Sequence, residues 1–199
     1  MSRDDLSFEA VVRGAFGKAG GLAGGFGTAR LEGDSLRIAG EKNQELVVPA
    51  AQVDCMRIVH FSGSRQPAIY EARIWPKGGS ESLLVMAAPR RPGDYGAVMK
   101  GFAGHVADLE GIDRVMRGPS LRTAIVNLLL AGGSVTLLAA GIVLVAVFDG
   151  GWGWWLAAVV AVALDLLLLA NTFRNRWPRR VRNLDELDRE LPPNKERQS

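Results

Sequence analysis

The chain has 199 residues, a single cysteine, two histidines and a formal net charge of +3. One cysteine rules out an internal disulfide framework. Residues 1–118 hold 15 Lys/Arg against 14 Asp/Glu, a balance of +1, so the basic excess lies later in the chain, which speaks against the basic face that a nucleic-acid-binding domain needs.

Residues 1–26 begin polar and turn glycine-rich. Two readings stay open. Phe8, Val12, Ala15, Ala19, Leu22 and Phe26 recur at helical spacing, with Gly17, Gly21 and Gly25 four apart, which fits a membrane-surface helix. Glycine costs up to about 1 kcal/mol in a helix interior, which favours an irregular lead-in. A phosphate loop is excluded, because Gly17-Lys18 is followed by Ala19 and not by Ser or Thr.

From Thr28 the apolar period becomes two. Ala29, Leu31, Leu36 and Ile38 alternate with Arg30, Glu32, Ser35 and Arg37 around Glu32-Gly33-Asp34, the signature of a β-hairpin. ELVVP and QVDCMRIVHF read as strands interrupted at Pro49. In AIYEARIW, Tyr70, Ala72 and Ile74 point inward and Glu71 and Arg73 outward. Pro76 to Gly79 is a turn, and SLLVMAA is the last strand. Asp94 then caps a helix whose apolar face is Tyr95, Val98, Met99, Phe102, Val106 and Leu109. Gly111 and Gly118-Pro119 mark a joint.

Beyond that joint, residues 119–176 read as two membrane-spanning helices in a hairpin. The first run, Thr123 to Phe148, carries no charge; the second, Trp152 to Phe173, carries only Asp165. Each exceeds the roughly 20 residues needed to cross about 30 Å of hydrocarbon, and Asp149-Gly150-Gly151 is too short to do more than turn the chain back. Trp152, Trp154, Trp155 and Trp177 sit where the two interfaces should lie. Arg114, Arg117 and Arg122 precede the hairpin, and Arg174, Arg176, Arg179, Arg180 and Arg182 follow it. The turn has no basic residue, so both termini are expected in the cytoplasm, with the arginines against the anionic inner leaflet. The tail, 177–199, reads as basic and amphipathic, with Leu184, Leu187 and Leu191 on one side of a short surface helix that Pro192-Pro193 stops.

The hairpin ARLEGDSLRIAG, the segment LVVPAAQVDCMRIVHF and the closing helix DYGAVMKGFAGHVADL resemble the bacterial pleckstrin-homology-like family, over roughly residues 27–110 of a domain set at 27–118. The resemblance implies an α+β fold: a curved antiparallel barrel or sheet closed at one end by a C-terminal helix and followed by the transmembrane α-helical hairpin. Eukaryotic relatives often bind phosphoinositides through a basic first loop. Here that loop, Glu32-Gly33-Asp34, is acidic, so no headgroup site is carried over.

No catalytic constellation emerges. Cys55 and His60, five apart on one strand, face opposite sides; Cys55 reads as a small core residue and His105 as structural. No zinc spacing, nucleotide fingerprint or nucleophile elbow is present, so no metal, cofactor or enzyme activity is expected. The informative polar groups lie in the membrane. Asp165 sits about 12 Å deep and Asn127 about 7–8 Å, at 1.5 Å per residue. An ionised Asp there costs at least about 2.5–3.5 kcal/mol. It is expected to bond Asn127 or Thr123, to dock another subunit, or to relay a proton. The expected function is a non-enzymatic module that presents its soluble domain at the inner-membrane face to a protein partner, without nucleic acid. The alternative is a small accessory subunit of a larger membrane complex held through the hairpin.

Overall fold

The computed structural model describes residues 6–14, 22, 26–40, 44–63, 66–79, 81–88, 92–129, 133–149, 151–175 and 177–192. They fall into two units, one of residues 1–118 with 179–199, the other of residues 119–178.

The first unit is α+β. Its strands are β1 (Ser7–Arg13), β2 (Phe26–Glu32), β3 (Ser35–Gly40), β4 (Glu45–Pro49), β5 (Val53–Gly63), β6 (Gln66–Pro76), β7 (Leu83–Ala87), β8 (Val115–Arg117) and β9 (Arg179–Arg180). They make one sheet in the order β4-β3-β2-β1-β7-β6-β5-β8-β9. The sheet is mixed and not purely antiparallel, because β8 runs parallel to β5. The β2–β3 hairpin forms as its alternation dictates, with Leu31 opposite Leu36 and Glu32 opposite Ser35. Gly33 supplies the positive φ of +57° that the tight turn needs.

Helix α1 (Tyr95–Glu110) lays Tyr95, Val98, Met99, Phe102 and Val106 into the core, all fully buried. Leu109 falls outside this face and is exposed. Asp94 occupies the N-cap position, but its side chain makes no capping hydrogen bond. Gly111, at φ +98°, ends the helix.

Two segments depart from the sequence reading. Residues 7–13 are neither irregular nor helical: β1 pairs with β2 and β7, burying Phe8, Ala10 and Val12. The proposed glycine stripe at Gly17, Gly21 and Gly25, with Ala15 and Ala19, lies outside the described residues. Residues 179–191 are no free tail. Arg179 and Arg180 pair with β8, the amide of Val181 donates to Val115 O at 2.9 Å, and Val181, Leu187 and Leu191 are buried in the sheet core. The helix at 184–189 is of the tighter 3₁₀ kind. Lys100 Nζ on α1 donates to Asp185 and Asp188 at 3.1 and 2.7 Å, and the His60 amide donates to Glu190 Oε2 at 3.1 Å.

The second unit contains α2 (Leu121–Asn127), α3 (Gly133–Asp149) and α4 (Trp152–Asn175). The first apolar run is thus not described as one unbroken helix. Its turns widen at residues 128–129, residues 130–132 lie outside the described residues, and α3 is described from Gly133. One helical segment, Trp152–Asn171 with 20 residues, is long and apolar enough to cross a membrane; Ala139–Phe148 is a shorter apolar one.

Candidate functional site: a buried carboxyl between apolar helices

Helices α3 and α4 pack on each other, and their contact is built from small residues. The described residues buried along it are Ala139 and Ala146 on α3 and Ala158 and Asp165 on α4. Both pairs are seven apart, two turns of helix, so each helix presents one narrow seam. Among the described side chains, Leu137, Leu144, Phe148, Leu156, Leu166 and Leu167 are all exposed, and Ile142, Val143 and Leu169 are half-buried.

Asp165, 8% exposed, is the buried charged residue among the described side chains. Thr136 Oγ1 donates to Asp165 Oδ2 at 2.9 Å. The two positions are symmetric about the connection at residues 150 and 151, so the turn itself sets them opposite each other, about 21 Å from it at 1.5 Å per residue. Asp165 Oδ1 is buried with no hydrogen-bond partner among the described residues.

The polar partners expected from the sequence sit elsewhere. Thr123 serves the start of α2: its amide donates to Ser120 Oγ at 3.1 Å, and the two hydroxyls lie 2.8 Å apart. Asn127, at the end of α2, makes no hydrogen bond to Asp165 among the described residues. Thr136 was missed because depth was counted from the outer ends of the helices. Counting from the turn selects residue 136 directly.

Among the tryptophans, Trp152 is 84% exposed, Trp154 and Trp155 are also exposed, and Trp177 packs its ring 4.8 Å from that of Phe173. Several arginines belong to the sheet unit's own ion pairs. Arg114 Nη1 lies 3.0 Å from Asp54, Arg117 Nε 3.1 Å from Glu186 and Arg180 Nη1 3.7 Å from Asp113. The Arg117 Nε–H is not directed along its contact, so that pair is ionic and not a hydrogen bond. Arg122 and Arg182 are exposed, as is Arg179 within β9. The Arg174 side chain and Arg176 lie outside the described residues.

Cys55 and His60 stay apart. His60 stacks on Tyr70, ring centroids 5.0 Å apart. Cys55 is half-buried beside Trp75 and not in the core, because it sits next to Met56, whose side chain takes the core face of β5. Burial first, and then the neighbouring Asp54 carboxylate, push its thiol pKa up, the opposite of an activated thiolate. Among the described residues, no group of three or more His, Cys, Asp or Glu could hold a metal ion. The chain matches no protein-family model, no curated protein and no solved structure.

Proposed function

We propose that the chain is a non-enzymatic, membrane-anchored interaction module: a helical hairpin holds a pleckstrin-homology-like domain at the cytoplasmic face of the inner membrane, where the domain binds a protein partner. The packing of α3 and α4 carries this reading. Among the described residues, most of their large apolar side chains are exposed while the buried ones are alanines and a carboxyl, the arrangement expected where the surroundings are lipid and helices associate through small residues and hydrogen bonds. Water would penalise that exposed surface at about 25 cal/mol per Å².

The path of the chain supports the orientation. It leaves the sheet after β8 and rejoins it at β9, and these strands are antiparallel neighbours, Arg117 opposite Arg179. An insert whose two ends are tied together in one sheet crosses a membrane an even number of times, so both termini share a side. The arginine bias makes that side the cytoplasm. The succession β1 to β7 followed by α1 supports the family resemblance, with β8 and β9 as additions that receive the insert.

Partner capture tests the reading. A chain lacking residues 119–178, with Gly118 joined to Arg179 by a short glycine linker, should still capture the partner from solubilised membranes. If the hairpin alone captures it and the excised domain does not, the protein is instead an accessory subunit held through its helices. Orientation is checked separately: a reporter after Ser199 that is active only outside the cytoplasm should stay silent.

A further inference from the structure

One rung of the sheet crosses six strands and carries four arginines. Register places Arg13 on β1 opposite Leu84, Leu84 opposite Arg73, Arg73 opposite Arg57, Arg57 opposite Met116, and Met116 opposite Arg180. The alternation of strands fixes their face. Their chain neighbours Val12, Val85, Ala72, Ile58, Val115 and Val181 are all core residues, so the rung residues belong to the outward side.

The centre of this rung is poorly arranged for stability alone. Arg57 and Arg73 are directly opposite, and like charges so placed are destabilising. Arg73 has Glu71 at 3.3 Å. Arg57 has no carboxylate within ion-pair distance among the described residues: its Nη2 reaches only Met116 Sδ at 3.9 Å, and its Nε is buried without a partner. Its guanidinium lies 5.3 Å from the centroid of the Trp75 ring, a cation–π seat that holds the group in place without neutralising it. Burial pulls the Arg57 pKa down from its ordinary value, and the Arg73 charge pulls the same way.

We propose that this face, centred on Arg57 and Arg73, binds an acidic amphipathic segment of a partner protein; this rests on the interaction-module reading. Arginine, tryptophan and methionine on one face match the composition that concentrates binding energy in protein interfaces. The order along the rung is cation, apolar, cation, cation, apolar, cation. A helix lying across the strands presents same-face side chains about 5–6 Å apart, close to the roughly 4.8 Å between strands. Glutamates and leucines on one helical face would therefore meet arginines and the Leu84 and Met116 side chains in turn.

The test uses the full chain in phosphatidylcholine nanodiscs and a fluorescent peptide of about five helical turns bearing Glu and Leu along one face. A second peptide carries Lys for Glu. The acidic peptide should bind, more weakly as salt rises, and Arg57→Ala or Arg73→Ala should each weaken it by roughly tenfold or more. Arg37→Ala, which removes a pair with Glu32 and Glu45 on the β2–β4 end of the sheet, should not. Arg73→Glu should shift preference toward the lysine peptide, which separates a lost site from a lost fold. No binding of the acidic peptide, equal binding of both peptides, or indifference to Arg57 and Arg73 would overturn the proposal. So would protection of these two arginines from phenylglyoxal by phosphatidylglycerol nanodiscs and not by the peptide, which would make this a lipid-facing surface. If the Arg57→Ala/Arg73→Ala protein still captures its partner through the sheet domain, this site is wrong and the module reading stands. If the hairpin alone captures it, the module reading itself fails.

Discussion

The residues buried in the sheet unit and those buried between α3 and α4 differ in kind. Phe102, Leu36, Ile38, Ile58 and Leu187 fill the first; among the described residues Ala139, Ala146, Ala158 and Asp165 fill the second, while leucines and tryptophans face out. Large apolar groups go inside when water is the alternative. If the second lies in surroundings as apolar as leucine, as we propose, burial gains little there and close backbone approach decides what lies at the seam. The contrast can be tested by mutation, because the same substitution, leucine to alanine, should be costly in the first and nearly neutral on the exposed side of the second.

The largest effect belongs to the sheet core. Phe102→Ala, at a fully buried ring under α1, should cost about 3–5 kcal/mol, read as a loss of hydrogen-exchange protection across the sheet in the full chain. Leu187→Ala should cost about 2–5 kcal/mol, because that side chain closes the core from residues beyond the hairpin. If Leu187→Ala changes little, the returning segment is a surface strap and the sheet is complete without it.

Leucine should be tolerated on one face of α3 and not on the other. Ala146→Leu forces volume into the α3–α4 seam and should cost about 1–3 kcal/mol. Leu144→Ala, two residues away on the exposed side, should stay within about 0.5 kcal/mol. Denaturation of the full chain in mixed micelles measures both. Equal costs would show that the outward leucines of α3 are covered, and the lipid-facing reading of that helix would fall.

What could be read from the sequence followed the range of the signal. The β2–β3 hairpin was legible because alternation and a turn glycine are local. Residues 7–13 were not, since Phe8 and Val12 are four apart, and four is close to one helical turn and is also two strand repeats. Ala10, between them, was the discriminating residue and is buried on the same face. The stripe Leu184, Leu187 and Leu191 was legible as an apolar side. What it packs on was not, because α1 ends 74 residues before Leu184 and β8 67 before it, and no local pattern encodes a return. The Arg57–Arg73 pairing was likewise invisible until register set the two strands side by side.

A smaller effect should track pH. Burial alone would lower the Lys100 pKa, but its hydrogen bonds to Asp188 and Asp185 outweigh that and raise it. A raised folded-state pKa contributes stability that is complete below the ordinary lysine value and is lost as pH rises through the folded one. The 3₁₀ segment at 184–189 should therefore loosen in alkaline solution. Partial exposure of all three groups keeps the contribution to about 0.2–1 kcal/mol. Lys100→Ala should remove the alkaline step in exchange rates measured at Leu187; a step of unchanged size would assign it to another group.

The smallest effect is the most informative about the seam. On the membrane-anchor proposal, a hydrogen bond between these helices is worth about 0.6 kcal/mol and at most about 1.7, so Asp165→Asn, which keeps an acceptor for Thr136, should be nearly silent. Thr136→Val is different: it removes the donor and leaves a buried carboxyl with neither oxygen bonded among the described residues, which costs more than the bond itself. Adding Asp165→Leu should then restore stability, since the double variant buries no polar group there. The double-mutant cycle must give a coupling in that direction. The same variants address docking. Because Asp165 Oδ1 is enclosed in the seam, a partner reaches it only by opening the hairpin, so Asp165→Leu should leave partner capture unchanged at equal membrane level. Release of the partner by Asp165→Leu, with the hairpin still formed, would show that the second oxygen is used between molecules and that the seam opens to offer it.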